Sequence, residues 1–522
     1  MLSAISALFS AALTALLFPS AQPKRVAIVG GGFAGLTAAR KLAACRGLEV
    51  LLLDQRTYFE YTPGILRAWV QPETHKSLVN PMAKLLRSPR ARFQRVLPNT
   101  TACILETADE RPLTLSLTNA LDANVMTYPC DYVVLATGGE LGPVADDRQT
   151  ADGSIKARRQ RLVEQVGSVM GRASSVLVVG GGLTGVELAA ECAERFAPGA
   201  VTLAVGPTLE RRGAFAGDPG DGVLPGFADT RTSRGKLGES GAVAYARRHL
   251  ERRGVRVLSR WAVPPPSAAQ STEGTSASSA YRPGGGVCWR DGGDGDRSLS
   301  WEDAGAASEI RADAVFDCRG LRPNNARAYG VREALAFRPN LPLGGKRGDG
   351  ATAGGVGGLP LDVVDRSGWL IVDGHFRLSR PRRAARDAAL EATRTLFEPA
   401  YGGRVYCCGD AACKDKGERT AANAHAEGEY VALDILAEVR RKRPLAPYVR
   451  PLRLTAVSLG RRDGVVVLAG WVALRGRLAA IAKQVIQFWF VNFLPLPYWL
   501  LRRLPGKKPR KQYEVLPRVE PA

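Results

Sequence analysis

The sequence predicts an α/β protein built on two parallel-sheet units, and three observations carry that reading. The first is the run Lys24 to Asp54. An apolar strand, Val26 to Val29, turns through Gly30, Gly31 and Gly32 into a small-residue helix, Phe33 to Cys45, and a second apolar strand, Val50 to Leu53, ends in Asp54. The second is a repeat of this pattern about 150 residues later, where the strand Val176 to Val179 leads through Gly180, Gly182 and Gly185 into a helix and the strand Val201 to Val205. The third is the alternation elsewhere of short apolar strands with helical stretches, the signature of a parallel sheet. Strands are expected at Tyr132 to Leu135, Ala314 to Asp317, Trp369 to Asp373 and within residues 404–412, and helices at Lys156 to Gly171 and Thr420 to Val439.

The spacing of the glycines has a chemical purpose. In G-x-G-x-x-G after a strand, Gly30 permits the tight turn, Gly32 lets a pyrophosphate approach the backbone, and Gly35 lets the helix lie close on the strand. The free N–H groups opening the helix then face the phosphate charge. Asp54 is placed to accept hydrogen bonds from an adenosine ribose. In the second copy no acid ends the second strand. Val205, Gly206 and Pro207 stand there, with Arg211 and Arg212 beyond. No carboxylate repels a 2′-phosphate, so a strict preference for NADH is not supported and NADPH stays open as reductant, and the arginines serve either that phosphate or loop solvation. The fold class is therefore α/β, with two Rossmann-like dinucleotide-binding domains and a C-terminal membrane-facing region.

At 522 residues the chain exceeds one core, and the following division is expected: residues 1–22 a membrane-targeting segment, 23–142 and 325–440 the two parts of the first domain, 143–324 the second domain, and 441–522 the C-terminal region. Gly-, Pro- and Ser-rich stretches at 264–308 and 342–366 read as loosely ordered insertions. The formal charge of +22 attracts anionic cofactors, anionic lipid or nucleic acid. Nine cysteines without a CxxC pair or zinc spacing point to free thiols, no metal site and a reducing environment.

The first eighteen residues carry no charged side chain and end before Pro19. Apolar residues and a Ser/Thr face alternate at helical spacing, as in an interfacial membrane helix, and a cleaved targeting segment remains the alternative. Leu2 in second position excludes N-myristoylation. At the other end, Phe488, Trp489, Phe490, Phe493, Tyr498 and Trp499 precede RRLPGKKPRK, with six basic residues in ten. Interfacial aromatics beside a cationic flank suit a membrane surface, whereas a dimer-forming or core-facing helix is the plainer reading.

The stretches VAIVGGGFAGLTAARKL, LRAWV, DYVVLATG, VLVVGGGLTGVELAAE, VYCCGDAA and SLGRRDGVVVLAG resemble those of the two-dinucleotide-binding-domain flavoproteins. The resemblance is to the pyridine nucleotide-disulphide oxidoreductase superfamily, in its ferroptosis-suppressor and apoptosis-inducing-factor-like branch, whose relatives include type II NADH dehydrogenases. It implies a glutathione-reductase-like fold with FAD at the first unit and NAD(P)H at the second. By position, Gly30, Gly31, Gly32, Phe33, Ala34, Gly35 and Asp54 would hold the ADP half of FAD. Arg67, Val96, Thr137 and Gly138 would line the flavin site, Asp410 would bind the ribityl chain, and Ala424 lies where the last helix points its N–H groups at the flavin ring. Gly180, Gly181, Gly182, Gly185 and Gly320 would take NAD(P)H, with Glu187 near the nicotinamide. Two departures stand out: Arg319 replaces the usual Thr before Gly320, and the quinone-site glutamines of type II NADH dehydrogenases are absent from residues 423–427.

No cysteine lies between Asp54 and Val96, where disulfide reductases of this fold carry their dithiol. Electrons are therefore expected to pass from NAD(P)H to FAD and directly to an acceptor, with a membrane quinone as the leading choice. Glu187 serves as an organising acid or as an ion-paired helix residue. His425 delivers a proton or is hydrogen-bonded structure, and Arg67 is a cation near flavin or a solvated helix residue. A soluble reductase of a small acceptor such as monodehydroascorbate is the second reading, and an NAD(P)H-sensing nucleic-acid or partner-binding protein the third. A homodimer is a further option. Expected location is a membrane face, whether cytoplasmic, lipid-droplet or mitochondrial.

Overall fold

The structure is a computed structural model that describes residues 22–105, 113–119, 122–141, 152–205, 239–258, 261–262, 286–291, 308–318, 321–324, 359, 361–365, 368–381, 397–413, 419–451, 454–468 and 471–493. The terminal segments 1–21 and 494–522, with Tyr498, Trp499 and the basic run, lie outside these residues, as do Gly206, Arg211, Arg212, Arg319 and Gly320.

Both glycine-bearing units fold as parallel sheets. The first has five strands in the order Val405–Cys407, Tyr132–Leu135, Lys24–Val29, Leu48–Asp54 and Ala91–Arg95. All its pairings are parallel, with Val29 opposite both Leu53 and Leu135. Its inner strands carry apolar runs, Val26–Val29, Val50–Leu53 and Tyr132–Leu135, because helices or loops cover both faces. Ile28, Leu52, Val133 and Val134 are fully buried, each stabilising the sheet by roughly 1.5–3 kcal/mol. The second sheet has four parallel strands, Arg256–Leu258, Val201–Ala204, Val176–Val179 and Ala314–Asp317. Two short antiparallel strands, Gly139–Leu141 and Leu321–Pro323, pair where the chain passes between the units.

Helix α1 (Phe33–Ala43) follows the first glycine turn. Pro63 opens a short 3₁₀ turn, Thr62–Gly64, that runs into α2 (Ile65–Val70). Helix α3 (Ile155–Gln165) starts at Ser154, whose hydroxyl accepts from the Ala157 N–H. Helices α4 (Leu183–Cys192) and α5 (Glu239–Arg252) belong to the second unit. Helix α6 (Ala421–Val439) is capped by Thr420, whose hydroxyl accepts from Asn423 N–H. It lies so close on α1 that a Cβ at Gly428 would sit 2.2 Å from the Ala34 carbonyl oxygen. An antiparallel sheet, Leu454–Ser458, Gly464–Leu468 and Trp471–Arg475, then leads into α7 (Arg477–Asn492).

Three expectations are corrected. Residues 369–373 make only isolated bridges, because Leu370 and Val372 each pair with scattered partners in a looping segment. Within the stretch read as a loose insertion, Gly286–Asp291 forms a strand against Ser308–Arg311, as its alternation of Val287 and Trp289 with polar neighbours allows. Among the described residues, two of the C-terminal aromatics leave the expected belt. The Phe490 ring meets Phe33 edge-on at 5.4 Å and Phe493 meets Phe59 at 4.8 Å, so both face the core while Phe488 is 63% exposed.

Candidate functional site

The two glycine turns share one geometry. Gly30 (φ +105°) and Gly180 (φ +112°) occupy a backbone region open chiefly to glycine. A Cβ at Gly35 would fall 1.9 Å from the Gly30 carbonyl oxygen, and one at Gly185 would fall 1.8 Å from that of Gly180. Those two glycines therefore serve packing of helix on turn. Gly32 and Gly182 differ: nothing lies within 4 Å of a Cβ at either, so their surroundings are open to a ligand. Asp54 ties the first turn together, its carboxylate accepting from Gly31 N–H (2.6 Å) and Arg56 N–H (2.8 Å).

A cavity of about 440 Å³ opens at the first turn. Its wall brings together Gly30, Gly32, Phe33, Ala34, Asp54, Val96, Thr137, Gly138, Asp410 and Ala424, ten of the sequence-predicted residues. Gly31 and Gly35 support it from behind. Gly409 (φ +73°) donates its N–H to the buried Glu427 carboxylate at 2.9 Å, which fixes the turn presenting Asp410. Two further lining groups, Gln55 Oε1 and Asn324 Oδ1, are buried with no hydrogen-bond partner in the described residues. An opening over Gly32, unsatisfied acceptors in the wall and the start of α6 at one side are the features FAD requires, and the residues fit it.

Arg56 and Glu60 also line this cavity. Glu60 is 4% exposed and faces two arginines and a histidine: Nε2 of the fully buried His75 at 2.9 Å, Arg158 at 3.2 Å and Arg56 at 3.9 Å. Burial alone would raise its pKa. Arg158, His75 and Arg56 prevail and hold it at about 2. Arg158 comes from α3, so the cluster also ties the second unit's first helix to the first unit.

Three candidates lie elsewhere. Arg67 lies outside the FAD cavity and is ion-paired: its guanidinium holds Glu191 at 2.8 Å and the Gly460 carbonyl at 2.9 Å. Glu187, 7% exposed, accepts from Ser458 N–H at 2.7 Å and pairs with Lys483 of α7. His425 lines neither cavity. Its Nδ1 is 2.7 Å from the Thr37 hydroxyl, its ring abuts Phe490, and burial pushes its pKa down to about 4. Gly181 is buried behind the second turn.

Sequence reasoning missed Lys483 and the work of SLGRRDG. This turn, residues 458–464, meets carboxylates recurring at helical spacing along α4 and just past its end: Glu187 at Ser458 N–H, Glu191 through Arg67, and Glu194 at Arg461 N–H (2.5 Å). Its Asp463 accepts from the Tyr245 hydroxyl at 2.9 Å and faces His249 Nδ1 at 3.2 Å, both on α5. The spacing of those glutamates was the available signal. A second cavity, of about 560 Å³, lies beside this turn, where Arg67, Glu187, Glu191 and Lys483 line it.

Two parallel-sheet units, each with a glycine turn opening onto a ligand space, define the fold of FAD- and NAD-binding oxidoreductases. Residues 24–212 match the family model described as Pyridine nucleotide-disulphide oxidoreductase. The chain is 31% identical over 184 residues to Ferroptosis suppressor protein 1 of Xenopus laevis, covering 34% of this chain and 43% of that one. It is 26% identical over 232 residues to Demethylphylloquinone reductase NdbB of Synechocystis, covering 40% and 54%. The chain thus spans about half the length of these relatives. Among solved structures, NDH2 of Plasmodium falciparum in complex with NADH matches with a TM-score of 0.57 at 11% identity, over 90% of this chain and 96% of that one. The resemblance read from the motifs is borne out, as is the α/β fold with its two Rossmann-like units.

Proposed function

We propose that the chain is an FAD-dependent NAD(P)H:quinone oxidoreductase that works at a membrane face. The observation that carries this is the pair of glycine cradles, each with one glycine opening onto ligand space, together with the absence of any cysteine in α2 or its approach. Without a dithiol there, reducing equivalents have no protein sulfur to pass through. Relatives whose names describe a quinone reductase support a quinone as the acceptor. Bound FAD would supply the two-electron relay between nicotinamide and quinone.

The protein's share is placement. Gly32 and the first N–H groups of α1 would receive the FAD pyrophosphate, and Asp54, already oriented by two backbone donors, would accept from the ribose. Asp410 would hold the ribityl chain, and the opening turn of α6, whose Ala421 and Ala424 line the cavity, would offer positive dipole to the flavin. Gly182 and α4 would receive NAD(P)H in the same way.

Membrane contact rests on α7. Leu478, Ile481, Val485 and Phe488 are 55–65% exposed and recur along one face, and the basic run 502–511 follows in sequence. An exposed apolar stripe beside cations is what an anionic bilayer surface binds. No helix of the described residues is long and apolar enough to cross a membrane.

The test is to purify the full chain, record its flavin absorbance, and follow NADH and NADPH oxidation against several quinones with and without anionic vesicles. Flavin-loaded protein with quinone turnover enhanced by vesicles is expected. A colourless protein that cannot be reconstituted would overturn the reading.

A further inference from the structure

We infer that Asn324, the residue at which the chain returns from the second unit, is a ligand of FAD, and that cofactor loading is thereby coupled to the closing of the crossing between the two units. This rests on the reading of the first cavity as the FAD site and names a contact there that lies outside the glycine motifs.

The crossing is built from two strands. The chain leaves the first unit through Gly139–Leu141 and returns through Leu321–Pro323, and the two pair antiparallel with Gly139 opposite Pro323. Asn324 follows directly and extends the pairing onto the turn after the strand Tyr132–Leu135. Its backbone N–H donates to the Gly138 carbonyl at 3.3 Å, and its side-chain Nδ2 donates to the Thr137 carbonyl at 2.9 Å.

A carbonyl oxygen only accepts, so the Thr137 oxygen fixes which end of the Asn324 amide faces it. Nδ2 lies against the turn, and Oδ1 is the end left over. That oxygen is buried, in a residue 4% exposed, and has no hydrogen-bond partner among the described residues. Asn324 lines the first cavity together with Thr137, Gly138 and Asp410. A buried acceptor left bare carries the cost of its desolvation, and in a cavity wall the occupant is the group placed to supply the donor.

The chemistry of FAD narrows that donor. The contact falls beside the first glycine turn, where a Cβ at Gly30 would sit 3.0 Å from the Thr137 nitrogen. Ionised phosphate oxygens only accept, so the pyrophosphate cannot serve Oδ1. The hydroxyls that flank it can: those of the adenosine ribose on one side and of the ribityl chain on the other. An O–H of one of these two sugar portions donates to Asn324.

The coupling follows from where Asn324 is anchored. Its backbone continues the second unit's return strand, its Nδ2 holds the first unit's turn, and its Oδ1 meets the cofactor. A cofactor that adds a bond to this residue favours the closed crossing, and by reciprocity a closed crossing favours the cofactor.

The test compares the full chain loaded with FAD and the same chain stripped of it. Asn324→Leu keeps the size of the side chain and removes both polar ends. A residue that only holds the crossing together would lower the Tm of both forms alike. For a ligand, the rise in Tm on adding FAD shrinks in the variant, and the Kd for FAD increases roughly three- to tenfold, the worth of one neutral hydrogen bond. ADP and FMN each carry one of the two sugar portions and locate the donor. Weaker ADP binding in the variant places it on the ribose, and weaker FMN binding places it on the ribityl chain. An unchanged rise in Tm with unchanged Kd for FAD would overturn the contact, since water would then satisfy Oδ1. If the variant fails to fold, hydrogen exchange on the wild type decides: FAD should slow exchange of the amides within 321–324, and equal exchange in the two forms would overturn the coupling. A wild-type chain that takes up no FAD would instead overturn the reading of the first cavity.

Discussion

Glu60→Gln removes one negative charge from a buried cluster and leaves His75, Arg158 and Arg56 without it. In the wild type, Glu60 has its pKa lowered from 4.5 to about 2. At about 1.36 kcal/mol per pH unit that fall is worth about 3 kcal/mol of folding stability, in line with the roughly 3–5 kcal/mol cost of breaking a buried ion pair. The depressed folded value means the unfolded chain binds the proton first as pH drops. The stabilisation is therefore complete above about pH 4.5 and is lost as pH falls through about 2. Urea unfolding followed by circular dichroism at pH 7, and then at steps down to pH 2.5, reads both features. The variant should be about 3 kcal/mol less stable at pH 7, and the gap should narrow steadily below pH 4.5, because the wild type loses what the variant lacks. A gap under about 0.5 kcal/mol at pH 7, or one that widens on acidification, would refute the electrostatic account of this cluster.

Asp410→Ala should lower the flavin-to-protein absorbance ratio of the purified chain, and full retention of tightly bound flavin would remove Asp410 from the FAD site. Gly182→Val meets open space and should fold, keep FAD and fail to bind NADPH in equilibrium titration, whereas Gly185→Val drives a side chain into the Gly180 carbonyl and should cut soluble yield severely. His425→Asn should leave the quinone turnover profile unchanged between pH 6 and 8, because burial keeps this imidazole neutral down to about pH 4; a lost acidic limb in the variant would restore His425 as a proton donor. The same lowering makes His425 oppose folding progressively as pH drops from 6.5 to about 4, since the unfolded chain takes the proton first.

Much of the first cavity was legible because its residues answer to local backbone physics. A strand, a glycine turn and a helix start are written in one contiguous stretch, and the helix expected over Thr420 to Val439 and the strand Tyr132–Leu135 stand at their predicted positions. The second cavity was not legible, because its parts lie far apart in sequence: Arg67 meets Gly460 and Glu187 meets Lys483 across 393 and 296 residues. Arg67 looked like a flavin contact because the turn Thr62–Gly64 that leads into α2 borders both cavities, and only packing decides which one its side chain enters. Phe490 and Phe493 looked like part of an interfacial belt because aromatic composition is the same whether a ring meets lipid or Phe33 and Phe59.

The SLGRRDG turn has a mechanical consequence. By gripping α4 along its length, α5 at Tyr245 and His249, and α2 through Arg67, it acts as a clasp that locks the angle between the two nucleotide-holding halves. Peptide cleavage inside the clasp, with every cavity-lining residue left intact, would leave α4 and α5 joined to α2 only through the rest of the chain.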